Sequence, residues 1–224
     1  MSMLSNLELI RRVPLFSMLT AGQAEAVADA VVKRRFKRGE MIVEQNKKSN
    51  ALFILLTGRA RVVTADARGR EVILAMLQPG DYLGEMSLID NEPHSASVRA
   101  EVQTDVLMLG RTEFARCLPE NSSMAYAVMR GLVQRLRHAD RKIESLALMD
   151  VYGRVAHCLL EASQHNDKGE RIIKDKVSRQ DLAKMVGASR KMVSRVMKDL
   201  EMRGFIETQP DGSVLIRERL GTLG

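Results

Sequence analysis

Hydrophobic positions change their spacing several times along this chain, and each change marks a different kind of element. Over residues 4–31 the apolar positions recur at helical intervals, and Thr20 with Gln23 forms a capping box ahead of a helix over 24–31. From Val32 to about Leu109 the apolar runs shorten: Met41-Ile42-Val43, Leu52-Phe53-Ile54-Leu55, Arg61-Val62-Val63 and Val72-Ile73-Leu74. Gly39, Gly58, Gly69, Gly80 and Gly84 punctuate them. Many short strands separated by turn residues predict an antiparallel sandwich or roll. Helical spacing then returns over 122–148, where Ala125, Met129, Leu132, Leu136, Ala139, Ile143 and Leu146 alternate by four and three residues, a heptad seam. Three heptads on a helix joining two domains predict self-association along that seam. Asp150 caps a further helix whose Val151, Val155, Leu159 and Leu160 face a core, so Leu148-Met149-Asp150 reads as a hinge. The polar stretch 164–170 reads as a surface loop.

Residues 178–201 carry the strongest chemical pattern. Ser178 caps a short helix, with Asp181 reciprocating as in a capping box, and Leu182, Met185 and Val186 fall on one face. Gly187 supplies a left-handed turn. Ser189 caps the next helix, whose Val193, Val196, Met197 and Leu200 point inward while Arg190, Lys191, Ser194, Arg195 and Lys198 occupy the other side. Two runs, 205–209 and 213–217, flank Pro210-Asp211-Gly212, a hairpin turn. Helix, turn, helix and hairpin make a winged helix that reads double-stranded DNA with its second helix in the major groove. Arg190 and Arg195 are placed for guanine edges, and Arg179, Gln180 and Ser189 for phosphates.

Charge supports this. Residues 169–224 hold 12 Lys/Arg against 8 Asp/Glu, so a quarter of the chain carries +4 of the net +7, as expected of a surface facing phosphates. The basic run 33–38 reads as a solvated strand edge. Hydrophobic residues make up 45% and aromatics 4% of the chain, which predicts aliphatic cores with methionine as filler. Cys117 and Cys158 have neither metal-ligand spacing nor a disulfide framework. No segment approaches a membrane span and no apolar leader is present. These features predict a reduced, cytoplasmic protein. No nucleophile–base pair or metal-ligand set suggests catalysis.

From the strand-rich half, the heptad helix, the hinge motif Leu148-Met149-Asp150-Val151-Tyr152-Gly153-Arg154 and the winged helix, the chain resembles, over nearly its full length, the family of the bacterial cyclic AMP receptor protein and FNR. The resemblance implies an α+β fold: an N-terminal cyclic-nucleotide-binding-type β-roll (jelly roll) over 1–121, a long dimerisation helix and hinge over 122–150, and a C-terminal winged helix-turn-helix over 151–224. It implies a homodimeric transcription regulator that binds an inverted-repeat operator and has RNA polymerase as a further partner. Residues 84–96, Gly-Glu-Met-Ser-Leu-Ile-Asp-Asn-Glu-Pro-His-Ser-Ala, resemble the family's phosphate-binding cassette. Gly84 allows close backbone approach, a short helix after it offers N–H groups, and Glu85 is placed to accept from a ribose hydroxyl. Met86, Ser87, Ser95 and Arg135 complete the candidate ligand set.

Three positions depart from the cyclic AMP binders. His94 stands where they carry an arginine, a permanent planar charge replaced by a group mostly neutral at pH 7. Ala139 and Asp140 align with the two hydroxyl residues that meet adenine; alanine cannot hydrogen-bond, while aspartate accepts from the N1 and N2 edge of guanine. Several readings of the sensor half follow: a guanine cyclic nucleotide (cyclic GMP or cyclic di-GMP, the latter with precedent among relatives), a vestigial pocket with no ligand, or cyclic AMP. A nucleotide-binding module that gates a partner protein is the alternative of a different class, and the basic recognition helix counts against it. Iron–sulfur sensing lacks its cysteine cluster, and haem ligation by His94 or Cys117 has nothing supporting it.

Overall fold

A computed structural model describes residues 5–11, 13–17, 19–120, 122–174, 178–217 and 220, without the side chains of 117–120, 122 and 123. The chain divides into two compact units, 1–135 and 136–224, and one long helix runs through the boundary.

The first unit opens with α1 (Asn6–Arg11), a 3₁₀ turn at Pro14–Phe16 and α2 (Ala21–Ala30). The helical region expected over 4–31 is therefore interrupted, because Pro14 has no N–H to donate to a continuing helix. Thr20 and Gln23 do form the reciprocal cap of α2. Strands β1 (Val32–Phe36), β2 (Met41–Val43), β3 (Ala51–Thr57), β4 (Ala60–Ala65), β5 (Glu71–Leu77) and β6 (Tyr82–Leu83) follow, then α3 (Glu85–Asp90), β7 (Ser97–Ala100) and β8 (Thr104–Gly110). They form two antiparallel four-stranded sheets in the orders β1-β8-β3-β6 and β2-β7-β4-β5. All five punctuating glycines have positive φ.

Strand β3 shows how the roll is held. Phe53 and Leu55 join Phe36, Ile42, Val98 and Val106 in one core. Leu52 and Ile54, on the opposite face of the same strand, pack with Leu107, Leu109, Val27 and Phe114 in a second. Both faces are buried, so β3 reads as a continuous apolar run. Phe114 comes from α4 (Arg111–Glu120), a helix for which no start signal stood out. The basic strand β1 is an edge strand with four of its five residues exposed, as expected of its charge.

Helix α5 (Ser122–Leu148) matches the predicted long helix. The second unit continues with α6 (Val151–Ala162), β9 (Gln164–His165), β10 (Arg171–Ile173), α7 (Arg179–Val186), α8 (Arg190–Met202), β11 (Ile206–Thr208) and β12 (Val214–Ile216). Asp150 caps α6, accepting from Gly153 N–H at 2.8 Å. The stretch 164–170 is not wholly a loop: Gln164 and His165 pair with Ile172 and Arg171, and the wing sheet has four strands in the order β11-β12-β10-β9. Two-residue polar strands leave no hydrophobic alternation to read. Val155, Leu159, Leu182, Val193, Met197, Leu200 and Ile216 form one core beneath the helices. Among the described residues no helix is long and apolar enough to cross a membrane.

Candidate functional site

The winged helix follows from local chemistry. Ser178 Oγ accepts from Asp181 N–H at 3.1 Å and Ser189 Oγ from Met192 N–H at 3.2 Å, so both helix starts are capped. Gly187 turns the chain between them at φ 65°, a backbone that costs glycine nothing. On α8, Val193, Met197 and Leu200 are fully buried, while Arg190, Lys191, Ser194, Arg195 and Lys198 are all exposed. Val196 and Met185 are half-buried. Gln180 is exposed and Arg179 half-buried, its Nη2 3.6 Å from Glu201 Oε1. Glu201 also accepts from the Thr208 hydroxyl on β11. The two capping hydroxyls already accept backbone hydrogen bonds, leaving each O–H proton to donate. At the wing tip Gly212 N–H donates to Gln209 O at 2.9 Å, closing the expected turn.

In the first unit the cassette is built around Gly84. Its φ is 90°, and a Cβ there would lie 2.7 Å from the Ala51 carbonyl oxygen on β3, so no side chain is accommodated. Glu85 begins α3 and is 1% exposed. It pairs with Arg135 of α5, which also donates to the Tyr82 carbonyl and lies over the Tyr82 ring at 5.0 Å. Glu85 Oε2 is buried with no hydrogen-bond partner. Burial pushes the Glu85 carboxyl above the usual range, with Arg135 opposing.

Tyr82 and Gly131 were not singled out by the sequence. The Tyr82 hydroxyl donates to Val128 O at 3.3 Å, and a Cβ on Gly131 would overlap the Tyr82 oxygen. Gly131 thus admits the ring against α5. A glycine inside a strong helical pattern was the available signal.

Ser87 is buried and donates to Glu92 O at 2.6 Å, closing the cassette loop on itself. Met86 and Ser95 are exposed. His94 is 8% exposed, and its Nε2 lies 2.8 Å from Ser49 Oγ. Burial lowers its pKa, which favours the neutral ring. Ser49 had no sequence signal. Ala139 and Asp140 are exposed on the part of α5 that belongs to the second unit, whereas Arg135, the partner of Glu85, belongs to the first. On the seam, Met129, Leu136, Ile143 and Leu146 are exposed, whereas Leu132 is half-buried against the core of the first unit. Cys158 is a free thiol whose pKa burial pushes up to about 11, so it stays protonated at neutral pH. The Cys117 side chain lies outside the described residues.

Residues 33–121 match the model of the cyclic nucleotide-binding domain, and 153–221 that of the Crp-like helix-turn-helix domain. The chain is 33% identical over 196 residues to the cAMP-activated global transcriptional regulator Vfr of Pseudomonas aeruginosa, covering 84% of this chain and 90% of that one. It is 31% identical to the cyclic AMP receptor protein of Thermus thermophilus, over 92% and 93% of the two chains. Among solved structures it is similar to the c-di-GMP responsive global regulator CLP of Xanthomonas campestris. That match has a TM-score of 0.73 and 25% identity, covering 88% of this chain and 99% of that one.

Proposed function

Since the chain belongs to the CRP/FNR family of transcription regulators rather than to a family of enzymes, we infer that it is a homodimeric, sequence-specific regulator gated by a guanine cyclic nucleotide in its roll. The observation that carries the DNA half is α8: five polar or basic side chains exposed on one face, with Val193, Met197 and Leu200 fully buried on the other. A fixed helix with Arg190 and Arg195 outward is suited to bidentate guanine contacts in the major groove. Arg179, Gln180 and Ser189 supply phosphate contacts. Because such a regulator works at promoters, RNA polymerase is its expected second partner.

Support for a ligand comes from Glu85, whose buried Oε2 lacks a donor. An unsatisfied buried oxygen is costly, and a ribose hydroxyl would satisfy it. Asp140, exposed on α5, would favour guanine over adenine in a nucleotide that it meets, because a carboxylate accepts and cannot donate. The named relatives are described as responsive to cyclic AMP and to cyclic di-GMP, so both belong in the test with cyclic GMP. A second reading, a ligand-independent regulator, is favoured by the Glu85–Arg135 and His94–Ser49 pairs, which already occupy polar groups of the cassette.

Calorimetry of the full chain against the three nucleotides, with operator affinity measured with and without each, separates the readings. Binding of a guanine nucleotide and a shift in operator affinity are expected, because a ligand moves the protein only by its differential affinity for two states. Asp140→Ser should then weaken that ligand with less effect on cyclic AMP. Tight DNA binding with no heat from any nucleotide would leave the ligand-independent reading.

A further inference from the structure

Glu85 and Arg135 form an incomplete pair. A guanidinium holds a carboxylate most strongly through two parallel N–H donors, one to each oxygen. Arg135 divides its donors instead. Nη1 goes to Glu85 Oε1 and Nη2 to the Tyr82 carbonyl, and Glu85 Oε2 stays buried without a partner. Tyr82 accounts for the division. Strand β6 pairs Tyr82 with Ile54, and its ring joins the core that holds Ile54, Val128 and Leu132, while Leu83 turns to the other core. Val128, Gly131 and Arg135 recur at i, i+3 and i+7, so they share one face of α5. The ring is seated on that face. Its hydroxyl donates to Val128 O at 3.3 Å, and a Cβ on Gly131 would overlap that hydroxyl and lie 2.9 Å from Cζ. Seated there, the ring presents its surface to the Arg135 guanidinium at 5.0 Å.

We propose that Tyr82, seated in the gap at Gly131, is a positioning residue that holds the Arg135 fork off Glu85 Oε2 and so reserves that oxygen for a ligand hydroxyl. The inference rests on the cyclic-nucleotide reading above and assigns the device that keeps its acceptor open. Two attractions fix the guanidinium: the Tyr82 carbonyl takes Nη2, and the electron-rich ring face attracts the cation. Both depend on where the ring sits, and the missing side chain at Gly131 decides that. Arg135 itself is only half-buried, so it has room to re-aim. Without the ring, the fork closes on both oxygens of the buried carboxylate, because an unsatisfied buried acceptor is costly. Tyr82 acts through Arg135 and needs no contact with the ligand.

The test is calorimetry of the full chain with cyclic GMP, cyclic di-GMP and cyclic AMP, each beside its 2′-deoxy analogue. For a nucleotide that binds, the unmodified protein should prefer the ribose form by about tenfold or more, as expected of a hydrogen bond to a buried charged acceptor. Tyr82→Leu should lower that ratio several-fold, chiefly by weakening the ribose form, and Gly131→Ala should do the same by filling the seat. Tyr82→Phe keeps the ring and should keep the ratio, a rescue that general loosening of the fold would not give. Adding Gly131→Ala to Tyr82→Leu should lower the ratio no further, because the two changes remove one contact. A full ribose preference in Tyr82→Leu or in Gly131→Ala overturns this inference and leaves the nucleotide reading intact. Equal affinity of the unmodified protein for ribose and deoxy forms also overturns it, since Oε2 is then reserved for nothing. Absence of binding by all three nucleotides overturns both.

Discussion

Lys191 stands exposed at the second position of α8, and an ammonium can only donate. The cyclic AMP receptor proteins that the chain resembles carry there a glutamate that accepts from cytosine, so the half-site selected from random DNA should differ from theirs at that base. Arg190→Ala and Arg195→Ala should each relax one guanine position by ~1–3 kcal/mol of discrimination, whereas Gln180→Ala should weaken all sequences alike. Recovery of the same half-site with Lys191 in place would contradict the assignment. Asp105 makes a different residue-scale case. Its buried carboxylate accepts from Arg35 Nε at 2.6 Å, and Arg35 first of all holds its pKa below the usual range. A depressed folded-state pKa contributes stability that is complete above the unfolded value near ~3.9 and is lost as pH falls through the folded value. Asp105→Asn should therefore lower the melting temperature at pH 7 and flatten its decline towards about pH 3. Equal losses at both values would show that the ion pair adds nothing.

Helix ends decide most of what could be read at the level of elements. Thr20, Asp150, Ser178 and Ser189 all accept the backbone N–H expected of an N-cap, because a cap is a local event between residues two or three apart. Ser189→Ala should cost about 1 kcal/mol of unfolding free energy, and the loss should be seen as a lower melting temperature of the full chain. It should also loosen the first turn of α8, where Arg190 and Lys191 sit, so operator affinity should drop with it; unchanged affinity would separate cap from contact. The strands of the roll were legible for a related reason, as glycines at positive φ bound each apolar run. What escaped was set at long range. Helix α4 buries Phe114 against β3 but has no sequence cap, and β9 is two exposed polar residues paired to β10. In the cassette, Gly84 and Glu85 were legible from their motif, whereas Ser49 lies 45 positions from His94 and meets it only through the fold. The Tyr82–Gly131 approach is likewise invisible until α5 lies against β6.

On the scale of the whole molecule, α5 carries a stripe of exposed apolar side chains. Leu136 and Ile143 are 62% and 64% exposed, and Met129 and Leu146 lie on the same side with Ala139 between them. The helix has 27 residues, and its exposed stripe from Met129 to Leu146 runs about 25 Å at 1.5 Å per residue; an apolar stripe left in water opposes solubility. Leu132 packs against the core of the first unit, whereas Met129 of the same helix is exposed. A second copy related by a two-fold axis would cover the stripe with the same residues from each chain. That symmetry would also offer two α8 helices to an inverted repeat with half-site centres one turn, about 10 bp, apart. Leu136→Asp would place an unpaired charge in the seam at a cost of several kcal/mol, about 3–5. Sedimentation should then show a monomer, and operator binding should weaken because each half-site is met singly. Gln134→Asp, an exposed change off the stripe, should remain dimeric. A Leu136→Asp protein that still sediments as the dimer would remove α5 as the interface and with it the symmetric geometry assigned to the operator.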